Sequence, residues 1–472
     1  MKSKENHNYE GGLKTDLLPV LTRHVIETEY RMLSLEAIAA SKRSIIDTLG
    51  TLLAGSSLRE YYGILDLARE WGGKEESSLI PWGIKVPFPN AVLVNATFAR
   101  ARDFDEVHPV SGMHPSATVI PTALALAEQV GGISGRDFLA AVATGIDFIC
   151  RMRMADNKTA GLNGWSSDTY GPFSAAVTAG KILKLTEKEM VNALGFAYAQ
   201  AAAGFQIYQS PGYSAINQGL AARDGALSVL LAQKEMIGPA DVLEGRYGFY
   251  HLYLNGDYNP SRALDKLGEE FEGSNLCIKA YPCCLFTHGP VETVKKIMQK
   301  NHIEKDSISQ LIVKTNRSEY NLCCEPLLEK KRPTSRRSAM FSIPYVLGNY
   351  LVRERIVFED FLEENIRDEK VLEMTSKIIP QIDPALDQLE TSVSPTIVEV
   401  LISNGKRYSE RVDYIKGHRR NPMDFEECVV KFKQCAAYSA RAISNEKLEE
   451  VIELINHLEE VEDMRSIVEK LI

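Results

Sequence analysis

The sequence lacks any long apolar run. No window of membrane-spanning length is free of charged residues, and the first eighteen residues, MKSKENHNYEGGLKTDLL, hold no apolar core of signal-peptide length. We therefore expect a cytoplasmic protein with no membrane partner. Internal repeats and low-complexity segments are also absent, which argues against a solenoid or a fibrous protein.

The sequence also has no concentrated positive charge. Its formal net charge is −9, and its densest basic run, EKKRPTSRR, is not interleaved with aromatic residues and is typical of a solvated loop. A protein that binds nucleic acid or an anionic membrane needs a basic patch. We therefore expect no nucleic-acid partner.

Cysteine is scarce, with eight among 472 residues, and four of these form the adjacent pairs Cys283-Cys284 and Cys323-Cys324. Neighbouring cysteines rarely bridge each other, and a cytoplasmic chain keeps its thiols reduced, so we expect no disulfides. Cys283, Cys284 and His288 suggest a zinc site, but they lack a second C-x-x-C or H-x-H half. The sequence therefore predicts no metal site.

The composition, with 44% apolar and 25% charged residues, is typical of a globular protein. The chain is long enough for two domains. The first 270 or so residues show helical periodicity, segment after segment. Ser34 is placed as the N-cap of one helix, Ser134 with Asp137 approximates a capping box, and Thr186 with Glu189 forms another. Alanine runs favour close helix packing.

The pattern changes after about residue 273. SQLIVKTN and SPTIVEVLISNGKRYSERVDYI have β-branched residues and an Asn404-Gly405 turn typical of a hairpin. SAMFSIPYVLGNYLVRE and VLEMTSKIIPQI are predicted to be helical. We expect a mainly α protein: a large all-helical domain from residues 1–273 and 413–472, and a smaller α+β lid domain from residues 274–412. A cleft between two such domains is a usual place for a small-molecule site.

Titratable residues are crowded into DFDEVHPVSGMH, which starts at Asp103 and directly precedes a helix rich in alanine and leucine. A carboxylate can orient an imidazole, and an imidazole can transfer protons near neutral pH. A loop aspartate before a helix is more often a cap or a turn former, so the residue types alone leave both interpretations open.

Four ordered segments resemble the MmgE/PrpD family. They are DFDEVHPVSGMHPSATVIPTALALAE, AVTAGKILKLTEKEMVNALGFAYAQAAAG, IKAYPCCLFTHGPVETV and KGHRRNPMDFEECVVKF. The family includes 2-methylcitrate dehydratases, cis-aconitate decarboxylases and an iminodisuccinate epimerase. The resemblance implies a helical domain with an α+β lid, a homodimer, and small carboxylate substrates that react through a carbanion or enolate without a cofactor or metal.

The resemblance also implies three catalytic residues. The family's D-F-D-D aspartate falls on Asp103, its HPS histidine on His114, and the lysine of its K-x-[YF]-P motif on Lys279. Asp105 and His108 are expected to support them as orienting or substrate-contacting groups. Such residues would move a carbon-bound proton and stabilise the developing negative charge.

The sequence departs from the family at two cationic positions. Ser166, in GWSSDTYG, stands where the family has the histidine of G-[FW]-H, and Ser214 stands where it has a lysine. Asn217 occupies a position where a histidine often sits. We expect Ser166, Ser214, Asn217 and Tyr170 to contact substrate, with Tyr170, Asp168 or Tyr213 as possible replacements for the lost chemistry.

Three functions fit these observations. The first is a cofactor-free dehydratase or hydratase acting on a small hydroxy-carboxylate other than cis-aconitate or methylcitrate. The second is an isomerase or epimerase that transfers an α-proton, and the third is a catalytically degraded binding protein of the family. The retained Asp103, His114 and Lys279 argue against the third.

Overall fold

Helices dominate the computed structural model, which describes residues 16–157, 164–209, 213–389 and 393–472. The fold is mainly α with a smaller α+β region, as the sequence predicts. The helices before residue 270 are α1 (Leu17–Glu27), α2 (Leu35–Ser56), α3 (Tyr62–Trp71), α4 (Phe88–Arg100), α5 (Ser116–Val130), α6 (Gly135–Met154), α7 (Gly171–Ile182), α8 (Glu187–Gln200), α9 (Tyr213–Gln233), α10 (Phe249–Leu254) and α11 (Pro260–Leu264).

The predicted helix starts are confirmed. The Ser34 hydroxyl accepts a hydrogen bond from the third residue of α2, and Ser134 caps α6 through the N–H of Asp137. Thr186 and Glu189 form a reciprocal capping box at the start of α8. Each cap satisfies a backbone donor that would otherwise lack a partner.

The first region is not purely helical. A short antiparallel hairpin, β1 (Ser77–Leu79) with β2 (Ile84–Val86), interrupts it before α4. The turn runs through Pro-Trp-Gly, where the N–H groups of Trp82 and Gly83 both donate to the carbonyl of Leu79. The prediction of an all-helical domain is wrong at this point because proline and glycine favour a turn over a continued helix.

A four-stranded sheet organises the second region. Its strands are β3 (Ile308–Thr315), β4 (Ile378–Ile382), β5 (Thr396–Ile402) and β6 (Arg407–Val412), in the spatial order β4-β3-β5-β6. The strands β5 and β6 form the predicted antiparallel hairpin around Gly405, whose φ is 87°. The helices around this sheet are α12 (His288–Asn301), α13 (Arg317–Cys323), α14 (Leu327–Lys331), α15 (Arg336–Met340), α16 (Ile343–Arg353) and α17 (Glu369–Ser376).

The prediction that VLEMTSKIIPQI is one helix is half wrong. Its first half belongs to α17, but the second half is β4, which pairs in parallel with β3. The sequence KIIPQI contains three β-branched residues and a proline, which removes a backbone donor and fits an edge strand. SAMFSIPYVLGNYLVRE is also divided, because α15 ends at Met340 and Ser342 caps the start of α16.

Two hydrophobic cores separate the regions. The larger core combines residues 17–278 with residues 423–471, and the second draws on residues 283–400. The last helices are α18 (Phe425–Ala436), α19 (Asn445–Asn456) and α20 (Arg465–Lys470), and α18 packs on α2. The C-terminal helices therefore join the first region, while the predicted boundaries at residues 273 and 413 stay predictions. Among the described residues, no helix is long and apolar enough to cross a membrane.

A buried ion pair joins α18 to α2. Lys431 Nζ lies 2.6 Å from Asp47 Oδ1, and both side chains are almost completely buried. A lysine in this position brings a charge into the core, where it needs a close partner. The pair holds α18 against α2 in the first core.

We expect the substitution Lys431→Met to lower the free energy of unfolding by about 3–5 kcal/mol, because it leaves Asp47 buried without its cation. Denaturant-induced unfolding measures the effect. The control is Lys433→Met on the same helix, where the lysine is exposed and pairs with Glu449; an exposed pair contributes about 0–1 kcal/mol. Equal unfolding midpoints for the two variants would contradict the expectation.

Candidate active site

The acidic loop, residues 101–115, joins α4 to α5 and pairs with the chain segment that leads into the second core. Val107 and Cys277 exchange two backbone hydrogen bonds, of 3.0 and 2.8 Å. Val107 and Cys277 also pack with Leu285 and Ile415 in a small hydrophobic cluster. The loop therefore lies where the two regions meet, and a cleft between them stays a prediction.

Two lysines hold the start of the acidic loop. Asp103 has a φ of 50°, a left-handed conformation that costs free energy in a residue other than glycine. Lys279 Nζ donates to the carbonyl oxygen of Asp103 at 2.6 Å, and Lys431 Nζ donates to that of Phe104 at 2.8 Å. The ammonium groups therefore bind consecutive carbonyls and stabilise the unusual turn.

Arg100, the last residue of α4, connects the loop's acidic side chains. Its guanidinium donates to Asp103 Oδ1, and to Asp105 Oδ1 at 3.1 Å. Lys279 Nζ lies 3.0 Å from the other carboxylate oxygen of Asp103, Oδ2. Asp103 is thus held between two cations, one from each region of the protein.

The hydrogen bonds of His114 define its tautomer. Arg100 Nη2 lies 3.4 Å from His114 Nε2, and a guanidinium can only donate, so Nε2 carries the lone pair. His114 Nδ1 lies 2.8 Å from Asp105 Oδ2 and donates its proton there. The imidazole is therefore neutral, oriented by a carboxylate, and suited to act as a base.

The pKa shifts agree with this protonation pattern. Burial raises the pKa of Asp103, but Lys279 and Arg100 outweigh it and hold that pKa far below its usual range. The pKa of Asp105 is likewise lowered, with Arg100 and His114 outweighing burial. Burial and the charge of Arg100 lower the pKa of His114. Both aspartates are consequently ionised at neutral pH while His114 is not.

Lys279 is placed by a close backbone contact. Its side chain is 1% exposed, and the preceding residue, Ile278, donates its N–H to the carbonyl of Gly417. Gly417 has a φ of 92°, and a Cβ there would lie 1.8 Å from the carbonyl oxygen of Ile278. Only glycine fits this position, so the chain returning from the second region sets the backbone that carries Lys279.

A second group of buried ionisable residues consists of Glu106 in the loop, Asp47 on α2 and Lys431 on α18. Burial and the neighbouring Asp47 raise the pKa of Glu106 well above its usual range. Asp47 meanwhile keeps its contact with Lys431. The geometry therefore favours a protonated Glu106 beside an ionised Asp47, so that one lysine balances one charge.

Polar residues from α9 face the turn that follows Ser166. Asn217 Nδ2 donates to Asp168 Oδ2 at 3.0 Å, and the N–H of Asp168 donates to Ser166 Oγ at 3.0 Å. The next residue on α9, Gln218, donates to the carbonyl oxygen of His114 at 3.2 Å. Ser166 and Asn217 therefore lie in a polar group that is connected to His114, and their contact with substrate stays a prediction.

Tyr170 lies outside this hydrogen-bonded group. Its hydroxyl donates to Asp156, which also accepts from Arg153 at 2.6 Å. Burial and Asp156 raise the pKa of the Tyr170 phenol well above its usual value. The structure therefore gives Tyr170 a partner away from His114.

His108 is completely buried on the other side of the loop. Its Nδ1 accepts from the N–H of Ser111 at 3.0 Å, and its Nε2 lies 3.0 Å from Glu272 Oε2. These contacts stabilise the conformation of the loop. The predicted substrate contact of His108 stays a prediction, and the side chain of Ser214, in the first turn of α9, lies outside the described residues.

The sequence reasoning missed Arg100, Lys431 and Glu106 as parts of this site. Arg100 had a recognisable signal, because it is a basic residue in the last turn of an otherwise uncharged helix just before the acidic loop. Lys431 and Glu106 had none, since a lysine on an amphipathic helix and a glutamate in a loop are normally solvated.

The described residues include no group of three or more His, Cys, Asp or Glu side chains arranged to hold a metal ion. All eight cysteines are free thiols. Cys283 and Cys284 lie in the second core, with Cys284 Sγ 3.7 Å from Cys323 Sγ. His288 begins α12 and contacts the ring of Tyr281 edge-on.

Two family models match the chain. The MmgE/PrpD N-terminal domain matches residues 20–261, and the MmgE/PrpD C-terminal domain matches residues 281–457. Together the matches span both hydrophobic cores and the acidic loop.

Curated relatives agree with the family models. The chain is 27% identical to a cis-aconitate decarboxylase of Aspergillus terreus over 413 residues, which cover 83% of each chain. It is 26% identical to the cis-aconitate decarboxylase of Homo sapiens over 443 residues, covering 90% of this chain and 88% of the relative. A cis-aconitate decarboxylase-like protein of Aspergillus oryzae is 23% identical over 463 residues, or 94% and 95% of the two chains. With both domain models matched in order, the chain belongs to the MmgE/PrpD family.

Proposed function

We propose that this protein is a cofactor-free lyase of the dehydratase or hydratase type, acting on a small hydroxy-carboxylate through a carbanion or enolate. The observation that carries the proposal is the neutral, Asp105-oriented His114 joined through Arg100 and Asp103 to the buried Lys279. The named decarboxylases among its relatives support a lyase. A cytoplasmic homodimer belongs to the proposal as well.

The site has a group for each demand of this reaction. His114 takes the proton from the carbon next to the substrate carboxylate, and the electron pair of the broken C–H bond moves into an enolate. Lys279 has three N–H donors, of which the carbonyl and carboxylate oxygens of Asp103 take two. The third stabilises the enolate oxygen. Loss of the β-hydroxyl group as water, with its C–O bond broken, completes the elimination.

The charge of the site favours a substrate with few negative charges. Arg100 and Lys279 are balanced by Asp103 and Asp105, and the neutral His114 adds no positive charge. Ser166 and Ser214 replace two cationic or titratable groups of the family. A lost charge-assisted contact with a carboxylate is worth about 1.5–3 kcal/mol, so we expect poor binding of a tricarboxylate.

The first test is a panel of D- and L-malate, citramalate and 3-hydroxybutyrate, with cis-aconitate as the tricarboxylate. We expect at least one hydroxy acid to be dehydrated, seen as ultraviolet absorbance of a conjugated acid, and cis-aconitate to be turned over poorly. Efficient turnover of cis-aconitate would contradict the role given to the serines. Deuterium uptake from D2O with inversion and no alkene would identify an epimerase, and thermal stabilisation without reaction would identify a binding protein.

We expect His114→Gln to lower kcat at least about 100-fold, the low end for a lost general base. Because the pKa of His114 is lowered, the acid limb of kcat/KM in the native enzyme should lie below the ordinary pKa of histidine, near 6.5. Activity should rise with pH through that limb as the base loses its proton. The control is the exposed His457→Gln; a normal rate for His114→Gln would remove histidine from the mechanism.

We expect Lys279→Met to raise KM and lower kcat together, because its charge acts on both the bound carboxylate and the enolate. Steady-state kinetics on the reactive hydroxy acid measure both constants. Circular dichroism and thermal melting check that the variant is folded, and the exposed Lys266→Met provides the control. A change confined to KM would limit Lys279 to substrate binding.

A further inference from the structure

A buried carboxyl, that of Asp168, lies close to His114 without a cation bound to it in the contacts described. We infer that, in the lyase reaction proposed above, Asp168 is the second proton-transfer group of the site and donates to the leaving hydroxyl. Neither the family's motifs nor the relatives' names assign this residue a role.

The turn that carries Asp168 is held rigidly. Ser166 donates its N–H to the carbonyl of Ala203 at 2.9 Å, and the hydroxyl of Thr169 donates to the same oxygen at 3.2 Å. After the turn, a Cβ at Gly171 would lie 2.7 Å from the Cβ of Ala221 and 3.9 Å from Thr118 Oγ1. The turn is therefore packed between α9 and the first turns of α5, the helix that begins two residues after His114.

Adjacent residues of α9 join Asp168 to His114. Asn217 donates to Asp168 Oδ2 at 3.0 Å, while Gln218 donates to the carbonyl oxygen of His114 at 3.2 Å and also to Thr118. Two consecutive helical residues thus fix the carboxyl of Asp168 relative to the backbone of His114. Such fixed placement on a rigid element is what a proton-transfer pair requires.

The carboxyl groups of Asp103, Asp105 and Asp168 have different charged neighbours and therefore differ in how readily they keep a proton. Asp103 and Asp105 both bind Arg100, so each is held in its ionised form. The Asp168 carboxyl accepts a hydrogen bond from the neutral amide of Asn217, while the backbone N–H of Asp168 donates to Ser166 Oγ. Burial raises the pKa of Asp168, although the charge of Arg100 and the hydrogen bond from Asn217 act to lower it. Of the three, Asp168 most readily keeps a proton.

A neutral base and a protonated carboxyl together complete the elimination. His114 takes the α-proton and the electron pair of the C–H bond enters the enolate, which then forms the carbon–carbon double bond as the C–O bond breaks. Asp168 gives its proton to the departing oxygen, so that water leaves, and His114 then returns the captured proton through water to Asp168. Two groups with pKa values shifted apart form the usual acid–base arrangement of such a site.

The position of Asp168 also accounts for the serine at position 166, where the family has a histidine. The family keeps a histidine there, and in this chain the serine hydroxyl accepts from the N–H of Asp168, two residues later. The titratable group is therefore displaced along the turn instead of being lost.

The test is Asp168→Asn, which keeps the hydrogen-bonding shape and removes the acid. On the panel compound that the native enzyme dehydrates fastest, we expect kcat to fall about 100-fold or more, with KM changed less than about threefold. Deuterium wash-in at the α-carbon should persist, because His114 still removes that proton. Asp224→Asn on α9, where the carboxylate pairs with Arg223, is the control and should keep kcat within about twofold.

A second measurement needs no substrate. A protonated Asp168 carries no charge while His114 titrates, so Asp168→Asn should leave the NMR titration of His114 where it is. Asp105→Asn removes an ionised partner and should shift that titration to lower pH. His114→Gln assigns the signal. A shift to lower pH in Asp168→Asn, or full kcat in that variant, would overturn the role of Asp168 as the acid.

Loss of wash-in together with turnover in Asp168→Asn would also overturn it, because a damaged fold affects both equally. Failure of the native enzyme on every panel compound would refute the proposed lyase instead. The His114 titration would still report separately on whether Asp168 holds its proton.

Discussion

The binding of two ammonium groups to consecutive carbonyl oxygens is the interaction on which the site depends. Lys279 and Lys431 hold the carbonyls of Asp103 and Phe104, and this keeps Asp103 in a left-handed conformation that it would otherwise leave. With the turn fixed, the side chain of Asp103 reaches both Arg100 and Lys279. The placement of His114 follows, because Asp105 can orient it only when the loop has this path.

The balance of charge explains how so many ionisable groups coexist in a buried site. Each buried aspartate of the loop has a cation within hydrogen-bonding distance, and the group without one, Glu106, is driven toward its neutral form. Little positive charge is left over for a substrate. A fold can be retained while the ligand it binds changes, and this charge balance is one reason for the substrate class proposed above.

The sequence alone predicted what depends on local chemistry. Helix starts at Ser34 and Thr186 were accessible because a cap and its partner lie within three residues. The strand β4 was not, because KIIPQI becomes a strand only through pairing with β3, far away in the sequence. Asp103, His114 and Lys279 came from motifs, whereas Lys431 was invisible: its role is set by Asp47 and Phe104, which no spacing rule connects to it.

The distances along the chain between the partners of the acidic loop have a consequence for synthesis in the cell. The loop is made early, but Lys279 follows 176 residues after Asp103 and Lys431 follows 327 residues after Phe104. A nascent chain that has emerged only as far as residue 278, the end of the N-terminal part of the first core, has loop carbonyls that lack both lysines and loop aspartates whose only cation is Arg100. Catalytic competence therefore arises in a single late event, when α18 docks. A chain truncated before this helix would retain most of its helices and still be inert.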